Sequence, residues 1–80
     1  MQSPLYLSLA QTITAQIESG ELAVGDRLPA ERALAEQYKI SRQTVRQSLD
    51  ILLNRGLVEK VRGAGTFVSP PVLERGAAEF

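Results

Sequence analysis

Ser41 followed by Arg42-Gln43-Thr44-Val45-Arg46-Gln47 constrains this chain more than any other stretch. A serine hydroxyl accepts from the orphan N–H groups of a first helical turn, so Ser41 predicts a helix start. Val45, Leu49 and Leu52 then fall at i, i+4 and i+7, one apolar stripe along a helix. At 100° per residue, Gln43, Arg46, Gln47, Asp50 and Asn54 gather on the opposite side. Guanidinium and amide side chains carry the paired donors and acceptors that match base edges in a major groove. Ser41, Thr44 and the free N–H groups of the first turn suit phosphate oxygens. Taken alone, the same residues also suit an ordinary helix with a solvated polar side. The flanking segments have to decide.

Before it, Leu5, Leu9, Ile13 and Ile17 repeat at i+4, with Tyr6 and Ala10 beside them. That is an amphipathic helix of about four turns, opened by Pro4 and stopped at Gly20. Gly25-Asp26 is a turn, and Arg27-Leu28 is extended because Leu28 precedes proline. A second, short helix starts past Pro29, with Glu31 in its first turn and Ala33, Leu34 and Tyr38 as its inner side. It ends near Tyr38-Lys39, where Lys39 stands at the place for a left-handed residue. Two helices joined by a tight turn, the second capped by serine, read as helix-turn-helix.

After it, the helix that starts at Arg42 runs to Arg55 and Gly56 stops it. Leu57 to Val61 and Thr66 to Val68 form a hairpin around the tip Arg62-Gly63-Ala64-Gly65. A two-stranded hairpin is not stable alone, so Val58, Val61, Phe67 and Val68 are expected to pack it on the helices. The fold class is mainly α with a small β-hairpin: a winged helix-turn-helix of three helices plus a wing.

Eighty residues make one small domain, 44% hydrophobic and 22% charged. Net charge is zero, which by itself argues against a nucleic-acid partner. The distribution matters more. Residues 1–26 carry Glu18, Glu21 and Asp26 and no base. Residues 27–62 carry Arg27, Arg32, Lys39, Arg42, Arg46, Arg55, Lys60 and Arg62 against Glu31, Glu36, Asp50 and Glu59. A basic surface on one side follows. The absence of His and Cys removes the commonest acid–base group and the thiol nucleophile. Gly63-Ala64-Gly65 lacks the Lys-Ser/Thr of a phosphate-binding loop. Catalysis is not expected, nor a cofactor or metal. No apolar run approaches a membrane span and no signal peptide opens the chain, so a cytoplasmic protein is expected.

Three blocks carry a family resemblance: Gly25-Asp26-Arg27-Leu28-Pro29-Ala30-Glu31-Arg32-Ala33-Leu34-Ala35-Glu36, then Ile40 to Leu49, then Gly56-Leu57-Val58-Glu59 with Gly63 to Val68. With Pro4-Leu5-Tyr6, they resemble the DNA-binding domain of the GntR family of bacterial transcription regulators over residues 4–68. The Leu28 to Arg32 block and the Pro70-Pro71 exit look closest to the HutC-like branch, whose effector domain resembles chorismate lyase. The resemblance implies that Arg32 reaches DNA from the second helix and that Arg42 and Arg46 lie near guanine edges. It puts Thr44 on phosphate and Gly63 in the minor groove. Geometry adds Gln43 at the start of the exposed side, and Ser41 as cap and phosphate contact. The family often has a basic residue between the wing glycines. Here it is Ala64, and Arg62 stands beside the tip in its place. The implied function is sequence-specific binding of double-stranded DNA at a near-palindromic operator, as a repressor and as a homodimer in full-length form. Residues 1–69 are then the DNA-binding domain. Residues 70–80 are a linker or the start of a C-terminal domain that dimerises and binds a small-molecule effector. One local alternative remains for Arg46: Asp50, four residues on, has the spacing of an ion pair.

Overall fold

The computed structural model describes residues 4–70. The element order is α1 (Leu5–Ser19), α2 (Glu31–Tyr38), α3 (Arg42–Asn54), β1 (Val58–Val61) and β2 (Gly65–Val68). Three helices and an antiparallel hairpin make a winged helix-turn-helix, as the sequence implies. The segment expected as linker or onward domain, beyond residue 70, lies outside the described residues.

Each helix end has a local cause. Pro4 opens α1, its carbonyl accepting from Leu7 and Ser8 N–H at 3.0 and 3.1 Å. Gly20 closes it in a left-handed conformation. Lys39 closes α2 with φ of 57° and is the one non-glycine residue with positive φ among those described. The backbone there costs on the order of 1–2 kcal/mol. In return, Ile40 N–H reaches the Ala35 carbonyl at 3.0 Å, and α3 can start two residues later. Ser41 caps α3 by accepting from Thr44 N–H at 3.0 Å. At the far end, Gly56 N–H donates to Leu53 O and Leu57 N–H to Leu52 O, both at 3.0 Å. These two bonds are a Schellman closure, which needs the positive φ that Gly56 supplies.

The core lies where the elements meet: Leu9, Ala10 and Ile13 of α1, Leu34 and Ala35 of α2, Val45, Leu49 and Leu52 of α3, with Leu28, Val58 and Val68. Ser48 is fully buried among them. Its hydroxyl donates to the Tyr6 carbonyl of α1 at 2.7 Å, and the Thr44 carbonyl lies 3.1 Å away. A small, satisfied side chain there lets α1 and α3 close on each other.

Three expected packing residues are corrected. Leu5 heads the α1 stripe but is 62% exposed. In α2 the inner arc is Leu34, Ala35 and Tyr38, and Ala33 is exposed. Val61 is 44% exposed. Side chains alternate along a strand, so Val61, three positions from the buried Val58, faces the other way.

The wing pairs Val58 with Val68, Glu59 with Phe67, Lys60 with Thr66 and Val61 with Gly65. The segment before α2 joins it. Leu28 N–H donates to Thr66 O at 2.8 Å and Val68 N–H to Asp26 O at 2.9 Å, with a bridge between Arg27 and Phe67. The expected extended Arg27-Leu28 is therefore a third arm of the wing, and it ties the hairpin to the start of α2.

Candidate nucleic-acid interface

Burying Val45, Leu49 and Leu52 turns the other side of α3 outward. Arg42, Gln43, Arg46, Gln47, Asp50 and Asn54 are all exposed. Thr44 is half-buried, and its hydroxyl lies 2.8 Å from that of Ser41. Ser41 is thus occupied with capping and with Thr44, and its hydroxyl is not freely offered outward.

The helix-turn-helix sets the N-terminus of α2 beside that of α3, and one carboxylate exploits this. Arg46 Nε donates to Glu31 Oε1 and Oε2 at 3.2 and 3.3 Å. Arg42 Nη2 lies 3.7 Å from Glu31 Oε1. The alternative of an Arg46–Asp50 pair does not occur; the tertiary partner wins. Both arginine side chains remain about 60% exposed, whereas Glu31 is 24% exposed. Exposed ion pairs contribute under about 1 kcal/mol, so this contact does little for stability. It does fix direction. Arg46 meets Glu31 through Nε, which leaves its terminal nitrogens as a fork for an outside acceptor.

Arg32 lies one residue past Glu31 and only loosely meets Glu36, at 3.9 Å with both side chains highly exposed. Arg32, Arg42 and Glu31 line a concavity of about 310 Å³ between the start of α2, α3 and the wing. Arg46 and Glu31 line the adjoining hollow with Asp50 and Lys60. Gln43, Arg62 and Gly63 are exposed but line neither. Gly63 sits at the wing tip with φ of 79°, and a Cβ there would meet nothing within 4 Å. Its φ demands glycine, and open space around it admits close approach from outside.

Three residues that line these hollows carry no site role in the sequence reading: Glu31, Arg27 and Lys60. Glu31 reads as a favourable charge on a helix N-terminus. Its second role appears only when residues 15 apart meet. Lys60 was recoverable from alternation, since it shares the inner side of β1 with Val58.

Among the described residues, no helix is long and apolar enough to cross a membrane. The family model "Bacterial regulatory proteins, gntR family" matches residues 5–68. The chain is 47% identical over 72 residues to the HTH-type transcriptional repressor NagR of Bacillus subtilis, covering 90% of this chain and 30% of that protein. It is 44% identical over 68 residues to the arabinose metabolism transcriptional repressor of Geobacillus stearothermophilus, covering 85% and 19%. The chain thus spans a third or less of the length of these relatives. Among solved structures, it is similar to AraR(DBD) in complex with operator ORR3. The TM-score is 0.83 at 32% identity, over 86% of this chain and 83% of that one.

Proposed function

Given that the chain belongs to the GntR family of bacterial regulatory proteins and carries its winged helix-turn-helix DNA-binding domain, we propose that it reads one half of a near-palindromic operator as part of a repressor. In this reading α3 enters the major groove and the Gly63 tip enters the adjacent minor groove. Arg42 and Arg46 approach guanine edges, and Gln43 reads a neighbouring base. Arg32, Thr44 and the Ser41 turn hold the backbone, with Arg62 beside the tip. The observation that carries this is the pair Arg42 and Arg46, one turn apart on an exposed helix side and aimed by the single carboxylate of Glu31.

The domain ends near residue 69, and residues 70–80 lead towards an effector-binding, dimerising part of the HutC-like kind. Support for that branch is a 38% identity over 69 residues with the histidine utilization repressor of Klebsiella aerogenes. Two tethered copies place two recognition helices on one operator, and a small molecule bound elsewhere alters their spacing. The role is binding without catalysis, in the cytoplasm, with no cofactor.

Selection from a pool of random duplexes tests the reading. The expected result is enrichment of a shared half-site, for which log K falls linearly with log salt concentration. Recovery of a pool indistinguishable from the input contradicts it.

A further inference from the structure

We propose that Arg27 and Lys60 grip DNA phosphates from the root of the wing, a backbone contact separate from the recognition helix and from the wing tip. The proposal rests on the DNA-reading role above. Its starting point is the shape of the duplex. The ridge between a major groove and the neighbouring minor groove is the sugar–phosphate backbone. With α3 in one groove and the wing tip in the other, that ridge must pass between them. What lies between them is the concavity of about 310 Å³, lined by Arg27, Arg32, Arg42, Lys60 and Glu31 among others. Four cations there face one carboxylate, and Glu31 is already engaged by Arg42 and Arg46.

Arg27 and Lys60 are the uncommitted charges of this hollow. Both are exposed, and among the described residues neither makes an ion pair. Glu59 is next to Lys60 in sequence but points to the opposite side of β1. Arg27 is held where it is by the wing itself. Its backbone bridges to Phe67, and its guanidinium occupies the space above Gly65. A methyl built on Gly65 would sit 2.8 Å from Arg27 Nε, so glycine leaves the berth that the arginine fills. The wing tip carries Ala64 between its two glycines. In this chain, the positive charge of the wing is therefore placed at its root as well as beside its tip.

The test uses the 80-residue chain, a duplex recovered by selection and a scrambled duplex of the same composition. Binding of each is followed by fluorescence anisotropy over a series of salt concentrations. Arg27→Gln and Lys60→Gln are each expected to lower affinity for both duplexes by the same factor. Each should make the slope of log K against log salt shallower by about 0.9, and the double variant by about twice that. Arg27→Lys, which keeps the charge, is expected to keep the wild-type slope. Wild-type slopes in the glutamine variants overturn the proposal while leaving the operator reading in place. So does a loss confined to the selected duplex, which would mean base contact. Failure of the wild-type chain to show any salt-dependent binding overturns both.

Discussion

Arg46→Ala is expected to cost about 1–3 kcal/mol on the preferred duplex and to flatten the preference at one base pair. The reason is directional. Arg46 is an exposed guanidinium whose Nε is taken by Glu31, so what it offers outward is its terminal fork. A fork pairs with the two acceptors of guanine, and alanine offers nothing to either. Glu31→Gln is expected to act at the same base pair with the opposite sign on scrambled DNA. It frees the arginines from their guide and so lowers discrimination. It also removes a negative charge from the DNA-facing side and so raises non-specific affinity. Competition binding against a panel of single-base-pair changes measures both. An Arg46→Ala loss spread equally over every duplex would make the contact a phosphate one and remove its base-reading role.

Leu52→Ala is expected to have the largest effect on folding. Leu52 is fully buried in α3, at the centre of the core cluster. Truncating such a leucine removes transfer energy and leaves a cavity, together about 2–5 kcal/mol. Small domains have a total stability on the order of 5–15 kcal/mol, so this is a large share. For a domain of this size each kcal/mol moves the melting temperature by about 4–8 °C, which puts the expected drop at roughly 8–40 °C. Thermal unfolding followed by circular dichroism reads it. A melting temperature within a few degrees of wild type would mean that the core does not depend on α3 as described. Arg46→Ala should melt like wild type and bind poorly, whereas Leu52→Ala should fail by unfolding.

Much of the architecture was legible because its signals are local. Ser41 as a cap, Gly20 and Gly56 as stops, and Lys39 as a left-handed residue each follow from a few neighbouring atoms, and each is found in that role. What was missed depends on partners distant in sequence. Ala33 and Ala35 are both small and apolar, and which one is buried depends on how α2 is rolled against the rest. Val61 looks like a packing residue by composition, yet strand alternation turns it to solvent. The same division holds at the candidate interface. The exposed side of α3 followed from its period, since the buried stripe leaves Gln43, Arg46 and Gln47 outside, whereas Arg42 entered through the family resemblance. The aiming of its arginines did not follow, because Asp50 is the partner that spacing suggests and Glu31 is the one that the fold supplies. Arg27 illustrates the limit well. In sequence it is a basic residue two positions before Pro29, and only the bridge to Phe67 brings it against the wing.

The most direct test of where DNA sits is a titration of the isotopically labelled chain with a selected duplex, followed through backbone amide and arginine Nε–H signals. The expected result is that shifts concentrate on Ser41 to Gln47, on the Nε–H groups of Arg32, Arg42 and Arg46, and on the wing around Lys60 and Gly63. Outward residues of α1 such as Gln11 should stay still. Shifts that centre on α1 while the Arg42 and Arg46 signals remain unmoved would contradict a recognition surface built on α3.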